Sequence, residues 1–230
     1  MILVSIAWAE LLDQESFLCS PPPRAAAQVH NRAVEADMQA QILFRAQVAL
    51  QYAGRNLIFI DESSFDKRTY ARAYGRAKRG GRTNSKKVFV RGPRFSLLPV
   101  MSKAGVLDYK IYPGSIDATA FLDFVHMVLV PSLADVEAPV VILDNCRIHH
   151  IAAVREALEG AGIEMLFLPP YSPELNPIEL LFSKTKSAFR RLSREVRESF
   201  DMPVQIGIAI ESVTAQDCAG WYAHCSGAYR

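Results

Sequence analysis

A chain of 230 residues, half of them hydrophobic and 22% charged, can bury a full core and is too apolar to remain disordered. Net charge is only +2, yet eleven Lys or Arg and no acid fall between Lys67 and Arg94. The rest of the chain is therefore net acidic, and one basic stretch stands against it. No run reaches the about 18 apolar residues a membrane-spanning helix needs, which excludes a membrane partner of that kind. The apolar start lacks a basic n-region and is interrupted by Glu10 and Asp13, so it is not read as a signal peptide. Four cysteines without CxxC spacing fit reduced thiols in an intracellular protein.

Residues 1–20 read as a short helix broken by Pro21-Pro22-Pro23. Residues 25–52 favour a helix stopped by Gly54. Together 1–54 form an N-terminal helical segment, and 55–230 the main domain. Leu57 to Asp61 is a strand, continuously apolar up to its last residue, as expected when both sheet faces are covered. The basic stretch, carrying Gly75, Gly80, Gly81 and Gly92, follows as a loop or ribbon. Phe95–Met101 and Val106–Tyr112 form a hairpin across Ser102-Lys103-Ala104-Gly105.

Asp117 caps a helix ended by Pro131. A strand (Val140–Leu143), a helix (Ile151–Glu159, stopped by Gly160) and a strand (Glu164–Leu168) come next. Pro177 opens a helix to about Leu192, and two short helices, 204–212 and 216–224, close the chain. This order predicts an α/β domain: a mixed sheet with helices packed on both faces, behind an N-terminal helical segment.

Two of the apolar strands end in carboxylates, Asp61-Glu62 and Asp144-Asn145. A third carboxylate, Glu179, follows the segment Leu168-Pro169-Pro170-Tyr171-Ser172-Pro173-Glu174-Leu175-Asn176-Pro177-Ile178. Three converging carboxylates stay ionised only around a cation, and oxygen ligands suit Mg²⁺ or Mn²⁺ rather than zinc. Two such ions can drive phosphodiester chemistry. Each piece also has a plain structural reading. Asp144-Asn145 fits a strand-to-turn terminus, and Asn176 fits a helix N-cap with Glu179 completing a capping box.

The pieces Phe59-Ile60-Asp61-Glu62-Ser63, Tyr74-Gly75, Leu143-Asp144-Asn145 with His149, and Leu168 through Glu179 resemble the catalytic domain of mariner-like DDE transposases and their bacterial insertion-sequence relatives. Thirty-four residues separate Asp144 from Glu179, a spacing typical of that family. The resemblance covers Gly54 to the C-terminus and implies a retroviral-integrase-like RNase H fold. It implies that Asp61, Asp144 and Glu179 are the catalytic, metal-binding triad, with two Mg²⁺ or Mn²⁺ ions and no small-molecule cofactor. Glu62, Asn145, His149 and Asn176 would support them.

The resemblance further implies cleavage of DNA by activated water, then attack of the freed 3′-hydroxyl on target DNA. A nuclease without strand transfer and a non-catalytic DNA-binding or dimerising relic are the alternatives. Family members often act as dimers, which leaves a homodimer open. They are nuclear in eukaryotes. They also carry helix-turn-helix modules, and the residues before Asp61 are too few for two of these, so a truncated copy is expected.

Arg72, Arg76, Lys78, Arg79, Arg82, Lys86 and Lys87, interleaved with Tyr70, Tyr74 and Phe89, are the candidate DNA contacts. Charge reversal at Arg76, Arg79 and Arg82 should flatten the salt dependence of DNA binding in titrations at several ionic strengths. An unchanged slope would remove this stretch from the interface.

Overall fold

The computed structural model describes residues 37–70 and 92–225. The expected helix over 1–20, the start of the helix over 25–52 and the basic residues from Arg72 to Lys87 lie outside the described residues.

Helix α1 (Met38–Gln51) starts at Asp37, whose carboxylate accepts from the N–H groups of Gln39 and Ala40. Gly54, at φ 77°, turns the chain into β1 (Asn56–Ile60). A short β2 (Ser63–Phe65) follows, which the sequence pattern had not separated from the loop. The hairpin of β3 (Phe95–Ser102) and β4 (Gly105–Pro113) forms where expected. Asp117 caps α2 (Ala118–Phe124) as expected.

The helix ends at Ser132, one residue beyond Pro131. The backbone widens to π-helical bonding over Val125–Leu129, with Val130 N–H donating to Val125 O, and continues as α3 (Val130–Ser132). After β5 (Pro139–Leu143), α4 (Ala152–Gly160) ends through Gly162, at φ 71°. The expected stop at Gly160 is thus supplied two residues later, by the glycine that takes the left-handed conformation. Then come β6 (Glu164–Phe167), α5 (Ile178–Arg191), α6 (Arg194–Ser199), α7 (Met202–Ile210) and α8 (Ala215–Cys225). Helix α6 was not anticipated; Ser193 caps it through Val196 N–H.

The sheet has the order β2-β3-β1-β5-β6, with β4 also paired to β3. β3 carries β4 on one edge and, on the other, β1 and β2 end to end in one continuous antiparallel register. Between β1 and β2 that register sets Asp61 opposite Pro99, a residue with no N–H to give the ladder. β1 and β5 run parallel, pairing Phe59 with Ile142, and β5 and β6 run parallel, pairing Leu143 with Phe167.

Strand alternation divides the core. Leu57, Phe59, Leu97, Met101, Val140 and Ile142 face one buried cluster with α1, α5, α7 and α8; Ile58, Ile60, Leu98, Val100, Val141 and Leu143 face another with α2 and α4. Both faces are covered, as the unbroken apolar strands predicted. Among the described residues no helix is long and apolar enough to cross a membrane.

Tyr222 of α8 is buried edge-on to Phe59, its hydroxyl 2.8 Å from Leu57 O and 3.1 Å from Met101 O. Tyr222→Phe leaves those carbonyls short of a donor and should lower stability by about 1–2 kcal/mol, read from the urea midpoint.

Candidate active site

Extending the β1–β5 register by two residues places Asp61 beside Asp144, on neighbouring strands about 4.8 Å apart. Equivalent positions on parallel strands point to the same side of the sheet. That side is the one α5 covers. β6 adds the third piece: Leu168 N–H donates to Leu143 O, so the proline-rich segment departs directly alongside Asp144. It makes a 3-10 turn at Pro173–Leu175 and then starts α5, with Glu179 in its first turn. Asp61, Asp144 and Glu179 thus line one cleft of ≈ 560 Å³, walled by Leu168 to Pro173 and Asn176.

The two aspartates have opposite surroundings. Asp61 Oδ1 accepts from Glu62 N–H at 2.7 Å and Oδ2 from Asn176 Nδ2 at 3.1 Å. Burial, then the negative charges of Asp144, Glu179 and Glu62, raise its pKa to about 7, against the backbone hydrogen bond that lowers it. Asp144 is partly buried too, which alone would raise its pKa. The hydrogen bond from His149 and that from Cys146 N–H outweigh burial and hold it below the usual carboxylate range.

His149 is wholly buried against Phe121, with ring centroids 4.5 Å apart. Its Nδ1 lies 2.8 Å from Asp144 Oδ1, and its Nε2 lies 3.5 Å from Glu62 Oε1, an ion-pair rather than a hydrogen-bond distance. Burial disfavours the imidazolium, but these two carboxylates raise its pKa to about 10. Alternation explains why Glu62, not Asp61, serves this role: it points to the opposite face of the sheet, where Phe121 packs.

Asn176 has the extended backbone of a helix cap, with Pro177 already helical and Glu179 N–H donating to Asn176 O; its side-chain amide donates to Asp61 and closes no capping box with Glu179. Glu179 is exposed to the cleft. Asn145 donates weakly to Leu168 O, at 3.4 Å. It also meets His150 Nε2 at 2.9 Å, and the His150 ring stacks on Phe167 with centroids 4.1 Å apart.

Sequence reasoning missed Gln41 of α1, whose amide donates to Ser172 Oγ and Glu174 Oε1 and clasps the proline-rich segment. No local pattern signals a contact so distant in the chain. The clasped segment includes Tyr171 at φ 53°, strained for a side chain of that size.

A family model described as DDE superfamily endonuclease matches residues 56–201. The chain belongs to the DDE superfamily endonucleases. No curated protein matches the sequence. The Mos1 transposase catalytic domain, solved with raltegravir and Mg, shares 18% identity and a TM-score of 0.58, covering 83% of this chain and 88% of that one. The Mos1 mariner paired-end complex with Mn shares 18% identity and a TM-score of 0.66, covering 99% of this chain and 68% of that chain. The Mos1 paired-end complex with left transposon end aligns at a TM-score of 0.54, 18% identity, 95% of this chain and 69% of that one. These likenesses are of fold, and they agree with the mixed RNase H-like sheet and flanking helices.

Among the described residues no three His, Cys, Asp or Glu side chains already stand at ligand distances from one point. The carboxylates of the cleft nonetheless suit a hard cation: Asp61, Asp144 and Glu179 offer oxygen atoms, and burial with neighbouring carboxylates pushes Asp61 up to about 7.

Because Asp61 titrates near 7 when folded and near 3.8 otherwise, the folded state holds the extra proton between those values. Metal-free stability from this group therefore falls as pH rises from about 4 to about 7. Asp61→Asn should raise the metal-free Tm at pH 8, with the gain vanishing near pH 4, measured in chelator-treated protein.

Proposed function

We propose that this DDE endonuclease domain hydrolyses DNA phosphodiesters with divalent metal and then joins the freed 3′-hydroxyl to target DNA, as a transposase does. The observation that carries this reading is the in-register pair Asp61–Asp144 sharing one cleft with Glu179. Asp61, Asp144 and Glu179 would hold a pair of Mg²⁺ or Mn²⁺ ions, which would supply nucleophile activation and leaving-group stabilisation.

The chain's own contribution is placement. His149 fixes Asp144 through Oδ1, and among the described residues no hydrogen bond falls on Oδ2, which stays open for a ligand. Glu62 steadies His149 from behind. Asn176 turns Asp61 toward the cleft, and the prolines limit how far the wall carrying Tyr171 and Ser172 can move. Support for DNA as substrate comes from the Mos1 paired-end complexes, one with a transposon end. The same likeness favours two copies acting together.

Purified protein should nick supercoiled DNA with Mn²⁺, and Asp144→Asn should reduce the rate by at least about a hundredfold. Wild-type activity no higher than that of the variant would overturn the reading in favour of a non-catalytic DNA-binding relic. Nicking without joined 3′-ends would restrict it to hydrolysis.

A further inference from the structure

Asn176 has the backbone of a helix cap, yet its side-chain oxygen caps nothing. The residue is only 5% exposed. Its Nδ2 donates to Asp61 Oδ2 at 3.1 Å, while its Oδ1 is buried and accepts no hydrogen bond among the described residues. A buried carbonyl oxygen left without a donor costs about 1–3 kcal/mol. Here that cost falls in the wall of the cleft that Asp61, Asp144 and Glu179 line.

The backbone holds the amide in place. Asn176 N–H donates to Pro173 O at 3.0 Å, and Asn176 O accepts from Glu179 N–H at 3.2 Å. Pro173 and Pro177 restrict the chain on either side. The side chain is thus anchored at its base and, through Nδ2, at its tip. Turning Oδ1 out to solvent would break the contact with Asp61. The bond to Glu179 N–H also ties the two residues together, so they enter the cleft as one unit.

Such an oxygen is satisfied by a protein donor, a water or a cation. Among the described residues no donor reaches it. A water stands about 2.8 Å from its acceptor, whereas Mg²⁺ binds oxygen at about 2.1 Å, so an atom this enclosed favours the ion. Charge favours it as well. Asp61 already meets repulsion from Asp144, Glu179 and Glu62. A fourth carboxylate would add to that repulsion, and an amide oxygen brings a ligand without charge.

We propose that Asn176 Oδ1 is a direct ligand of the divalent ion held by Asp61, so that one amide both orients a carboxylate and adds a neutral oxygen beside it. This rests on the metal-dependent reading above, and adds to the three carboxylates a residue that binds the ion itself.

The test is Mn²⁺ binding to metal-free protein without DNA, followed by electron paramagnetic resonance. Asn176→Leu, close in shape, should weaken binding by about a hundredfold or more. Asn176→Asp, which restores an oxygen but no donor to Asp61, should recover it. At saturating Mn²⁺, line broadening in ¹⁷O-enriched water should show one more bound water in Asn176→Leu than in wild type. Circular dichroism melting in chelator checks that this variant is folded; if it is not, Asn176→Ser, whose hydroxyl is too short to reach, is read for the same two signals. An unchanged water count, or an equal loss of affinity in Asn176→Leu and Asn176→Asp, overturns ligation and leaves Asn176 a positioning residue for Asp61. Nicking of supercoiled DNA by wild type separates the two readings. Mn²⁺ bound through Asn176 without nicking leaves the ligand standing and the nuclease reading fallen; nicking with an unmoved water count does the reverse.

Discussion

The parallel register of β1 and β5 is the constraint on which the site depends. It brings two aspartates distant in sequence to adjacent strand ends, on the same side of the sheet. Nothing else is needed to create the electrostatic conflict between them, and a shift of one residue would send one of them to the opposite face. The register is fixed by burial on both sides: alternate residues of β1 and β5 enter two separate cores.

Compensation is unequal, and the inequality is informative. Asp144 receives an imidazolium, itself kept charged by Glu62 from the opposite face of the sheet. Asp61 receives only an amide and a backbone N–H. One carboxylate is thus preset as an anion, while the other retains its proton near neutrality until positive charge arrives. A purely structural polar cluster would gain by neutralising both. This one leaves a deficit of cation on the side open to the cleft.

Local chain stiffness places the third carboxylate. The segment from Leu168 to Pro177 leaves β6 beside Asp144, is clasped from outside by Gln41, and is anchored inside by Asn176 on Asp61. Glu179 therefore enters on a helix whose start is tied to both the sheet and α1. Endonuclease family membership and the Mos1 likeness place the same framework in proteins whose solved forms include paired-end complexes.

By itself the sequence determined the apolar strands with terminal carboxylates, the β3–β4 hairpin, the Asp117 cap and the proline-rich segment before α5. All of these are short-range signals: periodicity, turn residues and local capping. The same local logic offered a capping box at Asn176, whose side chain instead reaches Asp61, and did not show the π-helical widening that carries the helix one residue past Pro131. It also missed α6 and the contacts of Gln41 and His150. Gln41 meets partners far along the chain and a helix ladder widens to carry Pro131, whereas α6 has a local cap in Ser193. Only the tertiary structure decided which residue faces which. Register and helix packing are set by the whole core, and no run of neighbouring residues contains them.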